Sequence, residues 1–256
     1  MPRQLVLAHF SVRDASFVDR CQAAHASGFD GIGLYVGEYS KLRAAGRTDD
    51  ELLGIVAEHG TRVLEIEAIP VFADARVDTF VHLAATFRPE RIQVVPPFTG
   101  EVDRDAAAAW LAVLADRVAP FGTGLAFEFL PFTDVPDAAA AAELVTRADR
   151  PNIGLCVDTW HVFRGAGLLS LVGLDPALVA SIQLNDGPFD PVLPDYVEDC
   201  LHFREVPGEG EFDLRGFMEL LPPSAPVSVE VPSDALDQLP PLEVARILAY
   251  ESKRYL

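Results

Sequence analysis

A chain of 256 residues, 50% hydrophobic and 23% charged, has the composition of an ordered protein and lies near the length at which one core stops growing, so a single domain is the simplest fit. The 20 Lys+Arg against 39 Asp+Glu give a formal charge of −19, and the only lysines are Lys41 and Lys253, so partners that offer a phosphate backbone or an anionic membrane are poor expectations. No apolar run approaches a bilayer span, no signal-like segment follows Met1-Pro2-Arg3, and Cys21, Cys156 and Cys200 are odd in number and far apart, which reads as a cytoplasmic protein with reduced thiols.

Short runs of Val, Ile, Leu and Phe alternate with longer amphipathic or Ala-rich runs, the pattern of βα units. In chain order the spacing predicts strands at Gln4–Phe10, Gly31–Val36, Arg62–Pro70, Arg91–Pro97, Gly124–Leu130, Asn152–Asp158, Val179–Asn185 and Pro226–Val231. Helices are predicted at Ala15–Ser27, Asp49–His59, Asp78–Phe87, Asp105–Ala119, Asp137–Ala148, Asp213–Leu221 and Pro241–Tyr255. Several open on an Asp suited to a cap or first turn, where it meets free N–H groups. The sixth helix is the weakest, because Gly and Pro interrupt the period across Gly165–Pro176. Eight alternations in this length are the arithmetic of a single α/β domain, a (β/α)8 TIM barrel covering 1–256. The polar, Pro-containing stretch Gly187–Glu211 reads as a loop, equally suited to a lid over the barrel mouth or to contact within a homo-oligomer.

Side-chain parity sharpens the expectation, because alternate strand residues face the helices and the barrel axis. In the fifth strand Leu125, Phe127 and Phe129 oppose Ala126 and Glu128; in the sixth Ile153, Leu155 and Val157 oppose Gly154, Cys156 and Asp158. The seventh sets Ile182 and Leu184 against Ser181, Gln183 and Asn185, and the eighth sets Val227, Val229 and Val231 against Ser228 and Glu230. One face is bulky and apolar while the other is small and then polar, which favours a closed barrel with a site at its top over an open sheet.

Glu128, Asp158, Gln183 and Glu230 take equivalent inward positions at the ends of four successive strands and are expected to converge. Three carboxylates brought together without lysine raise one another's proton affinity unless a cation sits among them. One divalent ion answers this, and oxygen donors point to Mn2+, Mg2+ or Co2+, with Zn2+ as a further choice. His161 follows Asp158 by three residues and reaches the loop above, where it can donate to substrate or move a proton. Arg164 and Arg204 are the cations placed to reach the mouth; His9, Tyr35 and Glu67 are read as inward ends of the first three strands. No G-x-S-x-G, P-loop or G-x-G-x-x-G occurs, and neither lysine falls on a strand. Gly208 and Gly210 follow the seventh strand, where barrels often hold phosphate, although Glu209 and Glu211 oppose an anion there.

These residues resemble the xylose isomerase-like TIM-barrel superfamily of sugar isomerases and epimerases, which also includes inosose dehydratases, 3-dehydroshikimate dehydratases and endonuclease IV. The resemblance runs over essentially the whole chain. It is carried by Phe127-Glu128-Phe129, Val157-Asp158-Thr159-Trp160-His161, Ile182-Gln183-Leu184-Asn185-Asp186-Gly187, Arg204-Glu205-Val206-Pro207-Gly208-Glu209-Gly210 with Phe212-Asp213, and Val229-Glu230-Val231. It implies metal roles for Glu128, Asp158 and Glu230, and substrate roles for His161 and Arg204; by its position Gln183 is expected to join the metal ligands, and Trp160, Arg164, His9, Tyr35 and Glu67 are expected as further substrate contacts. Gln183 departs from the His usual in the epimerases and is similar to the dehydratase branch. Endonuclease IV fits poorly, since its trinuclear zinc site needs many more His ligands and DNA needs positive surface. Xylose isomerase itself fits poorly too, as the chain is short and lacks a strand-end lysine.

The expectation is therefore an enzyme that binds one divalent metal and abstracts a proton α to the carbonyl of a small polyhydroxylated ketone, a ketose or cyclitol. Glu128 and Glu230 are the candidates for proton transfer, with His161 assisting. Isomerase or epimerase chemistry stands slightly ahead of dehydration by a lyase of the 3-dehydroshikimate or inosose type. A ligand-binding barrel without catalysis is the alternative from another class.

Overall fold

The computed structural model describes residues 3–256; Met1 and Pro2, which open the start expected for a cytoplasmic chain, lie outside the described residues. Eight parallel strands close a barrel in sequence order: β1 (Leu5–Leu7), β2 (Gly31–Tyr35), β3 (Val63–Pro70), β4 (Arg91–Val95), β5 (Gly124–Glu128), β6 (Ile153–Asp158), β7 (Val179–Leu184) and β8 (Val227–Val229). The ring shuts where Leu5, Val6 and Leu7 pair with Val227, Ser228 and Val229. All eight predicted strands are present, with trimmed ends. The first stops at Leu7 because Ala8 leads into a 3-10 turn, His9–Val12, so His9 stands beyond the strand. Glu67 lies inside β3 rather than at its end.

The helices outside the barrel are α1 (Phe17–Ser27), α2 (Val36–Ala44), α3 (Asp49–Glu58), α4 (Asp74–Phe87), α5 (Arg104–Val118), α6 (Ala138–Ala148), α7 (Thr159–Phe163), α8 (Tyr196–His202), α9 (Leu214–Glu219) and α10 (Pro241–Ser252). Side-chain caps start most of them. Ser16 caps α1, Thr48 and Glu51 form a reciprocal capping box on α3, and Asp103, Asp137 and Asp213 cap α5, α6 and α9. Asp49 and Asp105 instead occupy first turns, and α4 begins at Asp74, ahead of the expected Asp78. The interrupted Gly165–Pro176 region forms no α-helix; it holds a 3-10 turn at Leu168–Leu171 and leads into another at Pro176–Leu178. Three short helices, α2, α7 and α8, were not expected from the sequence. No described helix is long and apolar enough to cross a membrane.

Register places the inward residues of neighbouring strands side by side. Ala126 pairs with Gly154 and Glu128 with Cys156; Cys156 pairs with Ser181, Asp158 with Gln183, and Gln183 with Ser228. The outward faces, including Leu125, Phe127, Leu155, Val157, Ile182, Leu184, Val227 and Val229, are buried under the helices. Hydrophobic packing therefore holds the barrel from outside, leaving its axis free for polar groups at the C-terminal strand ends.

Candidate active site

A cavity of about 410 Å³ opens at those strand ends. Glu67, Glu128, Glu230 and Arg204 line it, with Phe10, Tyr35, Phe98, Phe132 and Tyr196 among its aromatic walls. The aromatic side is continuous: Phe98 and Phe132 have ring centres 5.7 Å apart, Phe132 and Tyr196 5.0 Å, and Tyr196 stacks on His161 at 6.0 Å. Phe98 and Phe132 are exposed at 55% and 38%, which leaves apolar faces for a ligand at the mouth.

Asp158 and Glu230 are joined by Arg204. Arg204 Nη1 donates to Asp158 Oδ2 at 2.8 Å and Glu230 Oε2 at 3.1 Å, while its Nε and Nη2 donate to the carbonyl and sulfur of Cys200 in α8. Asp158 Oδ1 accepts from the Trp160 N–H at 2.6 Å and from Asn185 Nδ2 at 2.9 Å. Burial pushes the Asp158 carboxyl up, but Arg204, His161 and Asn185 outweigh it and hold the group below the usual carboxylate range. Glu230 goes the other way: burial, reinforced by Glu128, Glu67 and Asp158, pushes it well above its ordinary value despite Arg204. Burial opposes the charge on Arg204, yet the surrounding anions raise it well above its usual value.

His161 is buried with both ring nitrogens engaged, Nε2 with Glu128 Oε1 at 2.8 Å and Nδ1 with the Tyr196 hydroxyl at 2.6 Å. Trp160 is fully buried beside Phe212 and does not line the cavity. Arg164 also stays outside it: the guanidinium lies 4.4 Å above the Trp160 ring, and Nη1 donates to the carbonyls of Pro188 and Phe189 at 2.6 and 2.7 Å. These two residues fasten the 187–211 segment rather than face the cavity. Within that segment α8 supplies Tyr196 and Cys200 to the cavity wall.

Tyr35 and Glu67 reach the cavity, whereas the His9 ring sits behind it, 5.2 Å from Tyr35 and 5.1 Å from Phe10. His9 Nδ1 faces Glu38 Oε2 at 3.4 Å, and Glu38 is gripped by the fully buried Arg20 at 2.6 Å. Burial lowers the proton affinity of His9 against the pull of Glu38. The functional part of His9 is its backbone, whose N–H donates to Glu67 Oε1 at 3.0 Å. Gln183 lies inside the barrel; its Oε1 accepts from Cys156 Sγ at 3.2 Å, and its Nε2 has no partner among the described residues.

Donor atoms from Glu128, Asp158 and His161 lie within 4.8 Å of one another. Four buried carboxylates, Glu67, Glu128, Asp158 and Glu230, surround the barrel axis with Arg204 as the cation in their midst. A divalent ion fits this surplus of negative charge.

Sequence reasoning missed Arg76 and placed Tyr196 only in the 187–211 loop, not in the cavity wall. Arg76, in the first turn of α4, lines the cavity and forms no salt bridge with a described residue. Its position depends on where α4 begins, which the sequence placed too late. The Gly208–Gly210 phosphate cradle is filled from within: Asp186 accepts from the N–H groups of Gly187, Gly208 and Phe212 at 2.9 to 3.0 Å. A Cβ at Gly210 would lie 2.4 Å from Asp186 Oδ1, so this turn is built around a carboxylate of its own chain.

The sequence profile of xylose isomerase-like TIM barrels matches residues 21–250. Over 142 residues, 51% of this chain, the sequence is 35% identical to a 3-dehydroshikimate dehydratase of Pseudomonas aeruginosa. Over 108 residues, 38% of this chain, it is 32% identical to a 3-dehydroshikimate dehydratase of Pseudomonas putida. Those stretches are 21% and 16% of the two relatives, so the chain spans about a fifth of their length. The fold is that of the IolI protein solved with a binding zinc atom, with a TM-score of 0.86 over 99% of both chains at 20% identity.

Proposed function

The chain belongs to the xylose isomerase-like TIM-barrel family, and from that premise we propose that it is a divalent-metal-dependent lyase dehydrating a cyclic β-hydroxy ketone that bears a carboxylate, of the 3-dehydroshikimate type. The sequence alone put isomerase or epimerase chemistry slightly ahead; the character of the cavity supports the lyase instead. One observation carries the choice. The cavity combines acids at its floor, aromatic and aliphatic walls, and the unpaired Arg76. A neutral sugar needs hydrogen-bonding partners on most sides, whereas a flat ring with a ketone at one end and a carboxylate at the other matches apolar walls between two polar ends. The similarity to two 3-dehydroshikimate dehydratases supports the same reading.

Glu128, Asp158, Gln183 and Glu230 would hold the ion, which when bound supplies a Lewis acid toward the ketone oxygen. His161 orients Glu128 from behind through their 2.8 Å contact, and Tyr196 fixes the far side of the imidazole. Glu230, which lines the cavity at the end of β8, would take the proton α to the ketone. Arg204 keeps Asp158 and Glu230 in place, and Arg76 pairs with the substrate carboxylate. The aromatic walls exclude water from the ring.

The test is incubation of the metal-loaded protein with 3-dehydroshikimate, and separately with ketoses and inososes in D2O. Loss of water with appearance of the aromatic dihydroxybenzoate is expected. Deuterium uptake into a ketose or inosose without loss of water would establish the epimerase reading instead, and metal binding without either reaction would leave a ligand-binding barrel.

A further inference from the structure

Dehydration needs a proton for the departing hydroxyl, and the groups considered so far are poor sources. Both nitrogens of His161 are engaged, with Glu128 and with Tyr196. The Arg204 guanidinium is locked between two carboxylates that strengthen its hold on its protons. Glu67 differs from both. It is fully buried in β3, lines the cavity, and has two inequivalent oxygens: Oε1 accepts the His9 N–H at 3.0 Å, and Oε2 has no partner among the described residues.

The place for this carboxyl is built by the neighbouring strand. A Cβ at Gly33 of β2 would lie 1.8 Å from Glu67 Oε1, so glycine at that position is what admits the group. His9 is held in turn by the 3-10 turn after β1, backed by Glu38 from α2 and Arg20 from α1. The other charged groups around it are Glu65 on its own strand, hydrogen-bonded to Arg91 and Ser228, Glu128 from β5, and Glu230 from β8. Burial first, and then Glu65 and Glu128 against the His9 N–H and Arg20, push the Glu67 carboxyl up to about 8.

We propose that Glu67 is the catalytic acid that protonates the leaving hydroxyl through its Oε2. The inference rests on the lyase reading above. As the base takes the α-proton, the C–H electron pair becomes the new C=C bond and the β C–O bond breaks. The C–O pair leaves on oxygen and receives the Glu67 proton, so water departs and Glu67 is left as a carboxylate. It regains a proton from solvent after product release, and no oxidant or reductant is needed.

The test compares Glu67→Gln with wild type on two substrates, 3-dehydroshikimate and its analogue with fluorine in place of the departing hydroxyl. Glutamine keeps the shape and the acceptor toward His9 but cannot give up a proton. The variant is expected to lose about 100-fold or more in kcat on the hydroxyl substrate and less than about fivefold on the fluoro analogue, because fluoride leaves unprotonated. Gly33→Ala, which crowds the carboxyl without removing it, is expected to show the same selective loss. Equal losses on both substrates, or no loss on either, would overturn the acid role while leaving the lyase reading intact. Failure of the wild type to eliminate from either substrate would overturn both.

Discussion

Glu128 touches His161 on one side and faces the cavity on the other, so an isosteric change there separates charge from shape. Glu128→Gln removes one anion from the donor cluster without a cavity. Metal content measured by mass spectrometry after dialysis is expected to be about one ion per chain in wild type and far below that in the variant. An equally loaded variant would show that Glu128 is not a ligand. Behind the site, the fully buried Arg20 pairs with the partly buried Glu38 at 2.6 Å. Burial pushes the Glu38 carboxyl up, yet hydrogen bonds from His9 and Arg20 outweigh it and hold the group below its ordinary value of 4.5. A carboxyl depressed in the folded state stabilises above its unfolded value, and that contribution is lost as pH falls through the folded value. Arg20→Met strands the partly buried Glu38 charge and is expected to cost about 2–3 kcal/mol at pH 7, less than for a fully buried pair. In urea melts the deficit should shrink as pH drops below 4.5, where wild type also loses the pair. A deficit constant with pH would mean that lost packing, not charge, is the cause.

At the scale of elements, α8 turns the 187–211 segment from a plain loop into part of the cavity wall. Arg164 grips the carbonyls of Pro188 and Phe189 ahead of it, and Asp195 caps it through the N–H groups of Val197 and Glu198. Arg164→Ala frees the segment while leaving the cavity residues in place. Limited proteolysis should then cut between 187 and 195 faster than in wild type, with KM raised several-fold and Tm nearly unchanged. Unaltered proteolysis would show that the aromatic contacts of Tyr196 hold the segment by themselves. This segment also marks how far the sequence could be read. The strands were legible because parity separates bulky outward faces from small, polar inward ones, and the inward faces led directly to Glu128, Asp158, Gln183 and Glu230. The short helices α2, α7 and α8 were not legible, since five to nine residues give too few turns for a helical period. Arg76 and Tyr196 sit in the first turns of α4 and α8, whose positions follow from tertiary packing, so nothing local in the sequence marked their roles at the cavity.

Across the whole molecule the −19 charge opposes folding through self-repulsion, while the buried pairs Arg91–Glu65 and Arg204–Asp158 and the partly buried pair Arg20–Glu38 are shielded from solvent. Exposed pairs such as Arg117–Asp78 and Arg150–Asp116 contribute little and weaken with salt. Raising ionic strength from about 0.01 to 0.15 M shortens the Debye length from about 30 to 8 Å, which screens long-range repulsion more than the buried contacts. NaCl is therefore expected to raise Tm by a few degrees. A divalent ion at the barrel mouth adds a different increment: binding to the folded state alone contributes about 2.7 kcal/mol at one hundred times Kd. Thermal melts in NaCl and in MnCl2 at matched ionic strength distinguish the two contributions. Wild type should gain more in MnCl2, and Glu128→Gln should gain little beyond the NaCl increment. If both proteins gain equally from manganese, the ion is relieving general surface repulsion, and the strand-end carboxylates are a polar pocket rather than a metal centre.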